Sequence, residues 1–374
     1  MRKITIFFAF MCFFITSNAF SEDWDITQLT NNGYSDWYAE IDNNGFVAWS
    51  GKSGADENIY YYDSQGVHQL TNSHDNYAPR VDDGQIAWRS SINGNTQVFL
   101  YDDSIKQLTN TIDSTNWPQD IDNGQVTWCR LGSPVSENNG VFLRDGNNTT
   151  QIASGSNSFN DGSNVISNGQ VVWRNLGGSV YLYNGVNASP IPDSSGGSYP
   201  IIDNGKVAWY NNSQVFMYDG IQTKQLSTDN RTINTIGISN GEMFWMSSDV
   251  NGNNAIYFYD GTENKKIADI MIDVNSPWSV PLPQINNGNV VWSSYDGSDY
   301  EVFLYDGANI TQLTNNTVGD FRPTLNAMGD VVWHGFDGND YEIYKASVVP
   351  EPISMLLFGL GGLTMAAFKC RKKA

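Results

Sequence analysis

The chain has 374 residues, with 40 acidic against 20 basic residues, and its net charge of −20 excludes a surface suited to nucleic acid or anionic lipid. Hydrophobic residues make up 40% and aromatic residues 13% of the composition, so the chain can bury a large core and is not a disordered polymer. Three cysteines in this length exclude a disulfide-rich scaffold.

The first 19 residues have the three parts of a secretory signal peptide. Arg2 and Lys3 give a positive start, an apolar run follows to Ile15, and small residues end the segment at Ala19. We therefore expect residues 1–19 to be removed by cleavage after Ala19. A buried first helix is the alternative, but a turn-rich polar segment follows at once.

An internal repeat runs through the next segment, residues 20–347. Seven units have an Asn-Gly or Asp-Gly pair, and the eighth has Met-Gly; each pair precedes an apolar run that ends in tryptophan. The eight tryptophans, 36 to 47 residues apart, are Trp49, Trp88, Trp128, Trp173, Trp209, Trp245, Trp292 and Trp333. Asn-Gly pairs tolerate the positive φ of a type I′ hairpin turn. The period is typical of four-stranded β-propeller blades.

The strand count predicts how the ring closes. The segment Ile26–Thr30 reads as a fourth strand with no blade before it, and the last unit ends with its third strand at 341–346. We therefore predict an all-β, eight-bladed propeller of four-stranded blades, whose ring is closed when the N-terminal strand completes the last blade. The repeated tryptophans are expected to pack between blades and not to contact ligand.

The repeat units resemble the TolB-type propeller. In that pattern a Leu-Thr pair leads through a polar loop to proline, then a turn, then an apolar strand. Here Leu70-Thr71 leads to Pro79, and Leu313-Thr314 leads to Pro323. The resemblance implies a protein-binding platform or an accessory domain of a hydrolase, and a few relatives are polysaccharide lyases. The fold alone does not choose among these functions.

The C-terminal segment, 348–374, combines three elements. Val349-Pro350-Glu351-Pro352 precedes an apolar stretch, 353–368, and a basic end. This order resembles the PEP-CTERM sorting signal. The resemblance implies a Gram-negative host, a membrane helix before processing, an exosortase as the processing partner, and release to the cell surface or beyond.

The segment between the two end signals is strongly acidic. Six of the 20 basic residues but only one acidic residue lie in the end signals, so the net charge of the segment is −25. It holds one cysteine, Cys129, and can form no internal disulfide. We expect a soluble monomer stabilised by its core, with a surface that attracts divalent cations or basic partners.

Aromatic residues recur in the loops that connect one unit to the next. They are Trp37, Tyr77, Trp117, Phe159, Tyr199, Trp278 and Phe321, and acids accompany several of them: Asp36, Asp75, Asp113, Asp161 and Asp320. One interpretation is that each aromatic caps its own blade. The other is a ring that stacks sugars or grips a peptide, with Trp37, Tyr77, Trp117, Tyr199, Trp278 and Phe321 as the ligand-binding candidates.

Two short acidic segments are candidates for a metal site. Asp296, Asp299 and Glu301 form the first group, and Asp337, Asp340 and Glu342 form the second. Clustered carboxylates suit calcium, a hard cation. The spacing differs from that of an EF-hand, and both segments fall where hairpin turns are expected. No cofactor is firmly implied, and calcium is the one candidate.

The sequence carries no positive sign of catalysis. Gly237-Ile238-Ser239-Asn240-Gly241 has the G-x-S-x-G pattern, but it overlays the repeat turn and lacks a strand-turn-helix context. Three hypotheses remain. The first is a non-enzymatic exported scaffold that binds polysaccharide or envelope proteins in an exopolysaccharide matrix. The second is a polysaccharide-active lyase or hydrolase with a diverged channel site. The third is a structural matrix protein.

Overall fold

The computed structural model describes residues 24–349, except 113, 133–138, 155–164, 212, 230 and 274–281. Within these residues every regular element is a β-strand, and 32 strands form eight four-stranded sheets. One compact unit spans Ile26–Ser347. The prediction of an all-β, eight-bladed propeller is confirmed.

The blades follow the chain, and we number them 1 to 8 from β2 onward. The innermost strands are β2 (Asp36–Ile41), β6 (Asp75–Asp82), β10 (Ser114–Asp122), β14 (Val165–Ser167), β18 (Ser198–Asp203), β22 (Thr232–Ser239), β26 (Gln284–Asn286) and β30 (Asp320–Leu325). The second strands are β3 (Val47–Ser53), β7 (Gln85–Ile92), β11 (Gln125–Gly132), β15 (Gln170–Arg174), β19 (Lys206–Asn211), β23 (Glu242–Ser248), β27 (Asn289–Tyr295) and β31 (Val331–Phe336).

The outer half of each blade has the same antiparallel order. The third strands are β4 (Asp56–Asp63), β8 (Asn95–Tyr101), β12 (Gly140–Asp145), β16 (Val180–Tyr183), β20 (Gln214–Tyr218), β24 (Asn254–Tyr259), β28 (Tyr300–Tyr305) and β32 (Tyr341–Val348). The outermost strands are β5 (Gly66–Gln69), β9 (Ile105–Gln107), β13 (Asn148–Ser154), β17 (Ala188–Pro190), β21 (Thr223–Gln225), β25 (Asn264–Ile270), β29 (Ile310–Gln312) and, in blade 8, β1 (Trp24–Gln28).

The repeated tryptophans form the core between blades, as predicted. All eight are at most 2% exposed. Each stacks on the aromatic ring directly opposite in the third strand, with centroids 5.5 to 6.2 Å apart. Such cross-strand aromatic pairs stabilise a sheet beyond the area they bury. Trp209, for example, also packs against Val172 and Ile202.

The N-terminal strand completes blade 8, which confirms the predicted closure. The sheet order is β1-β32-β31-β30. Leu29 N donates to Ile343 O at 2.7 Å, and Ile343 N donates to Thr30 Oγ1 at 2.8 Å. Leu313 and Thr314 make the same two bonds to Val302 within blade 7. In blades 1, 2, 7 and 8 a Leu-Thr pair therefore fastens the outermost strand to the third strand, and in blade 8 it joins the N-terminal strand to the last strand of the propeller.

The tight turns between first and second strands are linked around the ring. In the turn of blade 3, Asn123 and Gly124 have φ of 48° and 75°, as an Asn-Gly type I′ turn requires. Asn123 N donates to Asp82 Oδ2 of the preceding blade at 2.6 Å. The same kind of bond joins Asn287 N to Ser239 Oγ at 2.9 Å. Backbone donors of one blade are thus satisfied by side chains of the blade before it.

In blade 8, Gly335 lies two residues after the repeated Trp333 and makes room for the buried Asp320. Trp333 Nε1 donates to Asp320 Oδ1 at 2.7 Å, and a Cβ at Gly335 would collide with that oxygen. We expect Gly335→Ala to lower the free energy of unfolding by roughly 2 kcal/mol, because the buried carboxylate must shift. Urea unfolding measures this. Gly33→Ala is the control, since a Cβ there meets nothing within 4 Å; equal effects of the two changes would contradict the argument.

The two end signals lie almost wholly outside the described residues. They include the predicted signal peptide, 1–19, and the apolar stretch 353–368. Among the described residues no helix has the length and apolar character needed to cross a membrane.

Candidate ligand site at the channel mouth

Four inner strands carry the same β-bulge near their first residues. The pairing register with the second strand shifts at this point in blades 1, 2, 5 and 8. A residue with positive φ sits in each bulge: Tyr38 (59°), Ala78 (54°), Tyr199 (47°) and Arg322 (50°). Positive φ is uncommon for side chains as large as tyrosine and arginine. A bulge redirects the side chains of a strand, and such features cluster near functional sites.

The bulges of blades 1, 2 and 8 border one cavity of about 490 Å³. Its lining comes from blades 7, 8, 1 and 2 and includes Tyr38, Glu40, Glu57, Tyr77, Arg80, Arg89, Gln284, Arg322 and Thr324. Most of these residues belong to the inner strands, so the cavity lies at the mouth of the central channel. A cavity of this size suits a small ligand or one end of a polymer.

Three guanidinium groups meet at this cavity, each beside an aromatic ring or a carboxylate. Arg80 Nη1 donates to Glu40 Oε1 at 2.7 Å. The Arg89 guanidinium carbon lies 4.3 Å from the ring centre of Tyr77. Cation–π attraction of this kind holds a guanidinium in place while its N–H groups stay available as donors.

The remaining guanidinium comes from the end of the sequence. The guanidinium carbon of Arg322 lies 4.8 Å from the ring centre of Tyr38. These two bulge residues are far apart in the sequence and become neighbours because blade 8 closes against blade 1. Three of the 20 basic residues therefore line one cavity in a chain whose net charge is −20.

Burial shifts the pKa values of charged groups at and near the cavity. It lowers the pKa of Arg89, although a guanidinium stays charged in proteins. Burial raises the pKa of Glu40, and the Arg80 charge opposes that rise. Burial also raises the pKa of Glu57. Burial raises the pKa of Asp120, which interacts electrostatically with Arg80, to about 7. Cationic groups and carboxyl groups thus share this part of the channel.

One of the predicted aromatic residues lines this cavity, and a second lies beside one of its arginines. Tyr77 lines it, and Trp117 places its ring centre 5.6 Å from the Arg89 guanidinium while 39% exposed. Tyr199 is 50% exposed but belongs to blade 5, where it stacks on Tyr210. The cavity lining includes no residue of blade 5.

The other predicted aromatics divide into packed residues and residues that the structure does not describe. Phe321 is 9% exposed, and its ring centre lies 5.2 Å from that of Tyr300. Trp37 is half-buried beside Tyr341, 6.2 Å between ring centres. Each of these two rings therefore packs against a tyrosine of the preceding blade. Trp278 and Phe159 lie outside the described residues.

The acids that accompany the aromatics have mainly structural contacts. Asp36 Oδ2 accepts from Asn32 Nδ2 and Asp320 Oδ2 accepts from Asn316 Nδ2, both at 2.7 Å. Asp75 Oδ1 accepts from Glu57 N at 3.3 Å. Asp113 and Asp161 lie outside the described residues.

The two acidic groups predicted as metal candidates are each brought together by a tight turn between the second and third strands. One group contains Asp296, Asp299 and Glu301, and the other contains Asp337, Asp340 and Glu342. In each group, one carboxylate oxygen per residue lies within 4.8 Å of the others. These groups could hold a metal ion.

Ser239 and the histidines form no shared site. Ser239 Oγ accepts from Asn287 N in the ring of turns, which gives the serine a structural role. His68 lies on outer strand β5 and stacks on Tyr61, whereas His334 is buried against Phe321. Burial lowers the pKa of His334 to about 3, so this imidazole is neutral.

Sequence reasoning missed the arginines and carboxylates of the cavity. The sequence did contain one signal for Arg322. This residue directly follows the recurring aromatic Phe321 in the last unit, at the position that Tyr38 occupies in the first unit. Arg89 directly follows the core tryptophan, a place held by Ser50 in blade 1. A basic residue at such places in an acidic chain marks a local reversal of charge.

Residues 348–373 match the family model of the PEP-CTERM protein-sorting motif. The chain carries an exosortase sorting signal. The protein is therefore exported and processed at the membrane. Val349, Pro350, Glu351 and Pro352 all fall within the sorting motif, and only Val349 of these four is described by the structure. The motif covers only the end of the chain and does not include the propeller.

The propeller is similar to solved propeller domains of peptidases. The β-propeller domain of the trilobed protease from Pyrococcus furiosus has a TM-score of 0.51 and 10% identity, over 86% of this chain and 97% of that one. Acylaminoacyl peptidase from Pyrococcus horikoshii has a TM-score of 0.51 and 14% identity, over 87% of this chain and 54% of that one. A puromycin-hydrolyzing peptidase from Mycobacterium tuberculosis has a TM-score of 0.52 and 10% identity, over 80% of this chain and 57% of that one.

These similarities establish the fold and nothing further. This chain spans little more than half the length of the two complete peptidases. A search of curated proteins gave no match. A shared fold does not determine function.

Proposed function

We propose that the mature propeller is a non-enzymatic recognition protein of the cell exterior that binds an acidic polysaccharide at the channel mouth. The observation that carries the proposal is the meeting of Arg80, Arg89 and Arg322 in one cavity of an otherwise acidic chain. Guanidinium groups pair with carboxylates through two parallel hydrogen bonds. A uronic acid offers such a carboxylate on a sugar ring whose apolar C–H face can stack against Tyr77 and Trp117.

The sorting motif supports the same function. Cleavage after Ala19 and processing of the tail would release the propeller, as a monomer, into the space where an exopolysaccharide matrix forms. The negative charge of the remaining surface keeps the protein soluble and repels acidic polymer everywhere except at the cavity. Binding is then confined to one site and needs no second subunit.

A second candidate function is cleavage of that polysaccharide. Glu40 and Glu57 line the same cavity, and burial raises the pKa of both. Glycoside hydrolysis uses a pair of carboxyl groups, of which the general acid has a raised pKa. The ion pair between Glu40 and Arg80 favours a structural role for Glu40.

The test uses oligomers of polygalacturonic acid and the same oligomers after reduction of their carboxyl groups. We expect the mature protein, residues 20–349, to bind the acidic oligomers saturably in calorimetry, to bind the reduced ones at least roughly tenfold more weakly, and to release no fragments. Release of fragments would favour the second candidate. Equal binding of both oligomers, or no binding of either or of the host's own exopolysaccharide, would contradict the proposal and turn attention to envelope proteins.

Arginine variants locate the site. We expect Arg89→Gln and Arg322→Gln each to weaken binding of the acidic oligomers by roughly ten- to a hundredfold, since each loses a charge-assisted contact. Lys106→Gln is the matched control: it removes the same charge, but Lys106 lies on outer strand β9, where it pairs with Asp102. An equal loss in all three variants would mean that only the overall charge matters.

A further inference from the structure

The turns that follow the second strands of blades 7 and 8 share one six-residue pattern. It reads Asp-Gly-Ser-Asp-Tyr-Glu at 296–301 and Asp-Gly-Asn-Asp-Tyr-Glu at 337–342. Each turn is closed by a backbone bond of 3.0 Å, from Asp296 N to Asp299 O in blade 7 and from Asp337 N to Asp340 O in blade 8. The three acids of each turn converge, with one oxygen from each within 4.8 Å of the others.

The last acid of each trio is fully buried and only half satisfied. Glu301 and Glu342 are 0% exposed. Oε1 of each accepts a backbone N–H from the loop to the next blade: from Asn316 at 2.9 Å and from Asn32 at 2.8 Å. The carboxyl groups of Glu301 and Glu342 also hydrogen-bond to the hydroxyls of Thr314 and Thr30. The other oxygen, Oε2, is buried and has no hydrogen-bond donor among the described residues.

The neighbouring carboxylates do not donate hydrogen bonds to these Oε2 atoms. Both side-chain oxygens of Asp299 and Oδ1 of Asp340 are also buried without a donor in the described part of the chain. No ion pair formed by the described residues involves either trio. Burying like charges without donors or a counter-charge is costly. A positively charged group or ion must lie beside each trio for all three of its acids to be ionised.

Blades 1 and 2 indicate that the charge is not needed for the fold. The positions equivalent to the buried glutamates, judged by strand register, hold Asn58 and Gln97. Their amide oxygens accept from Thr71 Oγ1 at 3.2 Å and from Thr109 Oγ1 at 2.8 Å. A neutral amide therefore braces the same loop in those blades. Holding the loop in place does not require the negative charge that the carboxylates of blades 7 and 8 carry.

We propose that each of the two turns binds one calcium ion, held by Asp296, Asp299 and Glu301 in blade 7 and by Asp337, Asp340 and Glu342 in blade 8. The donors are all oxygens, which calcium prefers, and no histidine or cysteine belongs to either group. Carboxylates spread over several ångströms suit calcium better than magnesium, which demands a tight octahedron.

Bound calcium would also fix the aromatic rings beside the channel. The residue before each buried glutamate is a tyrosine. The ring centre of Tyr300 lies 5.2 Å from that of Phe321, and the ring centre of Tyr341 lies 6.2 Å from that of Trp37. Phe321 and Trp37 each directly precede a bulge residue that lines the cavity. The calcium proposal stands on the turns alone and does not depend on the polysaccharide.

The test measures calcium binding to the mature protein after treatment with EDTA. We expect calorimetry to find two sites per chain with dissociation constants of roughly 10⁻⁴ to 10⁻³ M, the range of extracellular modules, and calcium to raise the melting temperature. In the double variant E301Q/E342Q both sites are expected to be lost. Its stability in EDTA should equal or exceed that of the unchanged protein, because an amide restores the arrangement of blade 2.

E263Q is the matched control, since Glu263 is an exposed acid in a turn of blade 6, and this variant should keep both sites. Retention of both sites in the double variant would overturn the proposal. So would the absence of saturable binding in the unchanged protein at roughly ten times the upper limit of that range. Stability in EDTA provides a readout that separates lost binding from lost folding.

Discussion

A mature chain that lacks residues 24–30 is expected to melt roughly 10 °C below the complete mature chain. The deletion removes β1, the hydrogen bonds of Leu29 and Thr30 to Ile343, and the packing of Leu29 against the core of blades 8 and 1. At about 1 kcal/mol for each hydrogen bond and about 2 kcal/mol for the leucine, the loss is roughly 5 kcal/mol. In a domain of this size 1 kcal/mol corresponds to about 2 °C.

A synthetic peptide with the sequence of residues 22–33 is expected to restore most of the lost stability when added in excess, because it binds only the folded ring. A peptide of the same composition in shuffled order is the control. The exposed edge of β32 should also make the shortened chain more prone to aggregate, which light scattering would detect. If the shortened chain melts at the original temperature, the N-terminal strand does not hold the ring closed.

Trp209→Ala is expected to lower the free energy of unfolding by roughly 3–5 kcal/mol, the range for removing a buried aromatic side chain. Trp209 is 0% exposed and stacks on Phe216, with ring centres 5.9 Å apart. It also packs against apolar residues of blade 4, so the cavity left behind would weaken two blades at once. Urea unfolding followed by circular dichroism gives the difference in free energy.

Replacement by phenylalanine separates packing from hydrogen bonding. Trp209 Nε1 has no hydrogen-bond partner among the described residues, whereas Trp333 Nε1 donates to the buried carboxylate of Asp320. Trp333→Phe should therefore cost roughly 1–3 kcal/mol more than Trp209→Phe, because a buried acceptor loses its donor. Equal costs would mean that the indole–carboxylate bond contributes nothing to stability.

The fold could be predicted because each of its determinants is local and repeated. Asn123-Gly124 encodes a turn by its own backbone preferences, and the same pair recurs with a tryptophan five residues after its asparagine. The closure followed from counting, since Ile26–Thr30 had no blade before it. None of these steps needed knowledge of which residues meet across the ring.

The channel site depends on contacts that local patterns do not carry. Arg322 reaches Tyr38 only because the ring closes, and both side chains are redirected by bulges with positive φ that no glycine signals. The recurrence of Phe321 and Trp37 was visible in the sequence. Whether those rings are exposed depends on Tyr300 and Tyr341 of the preceding blade. Likewise the burial of Glu301, which distinguishes it from an ordinary turn acid, requires the structure.

From blade 1 to blade 7 the turns are joined by bonds of one direction, from the backbone of one blade to a side chain of the blade before it. At the closing junction the direction reverses, because Ala327 N of blade 8 donates to Asn43 Oδ1 of blade 1. The six junctions between blades 1 and 7 thus pair a backbone donor with a side-chain acceptor in the same order, so these junctions are chemically interchangeable. Duplication or loss of one repeat unit within this stretch by recombination would leave its junctions chemically matched. The number of blades is then set by the geometry of closing the circle, and genes for such chains can change ring size in single steps.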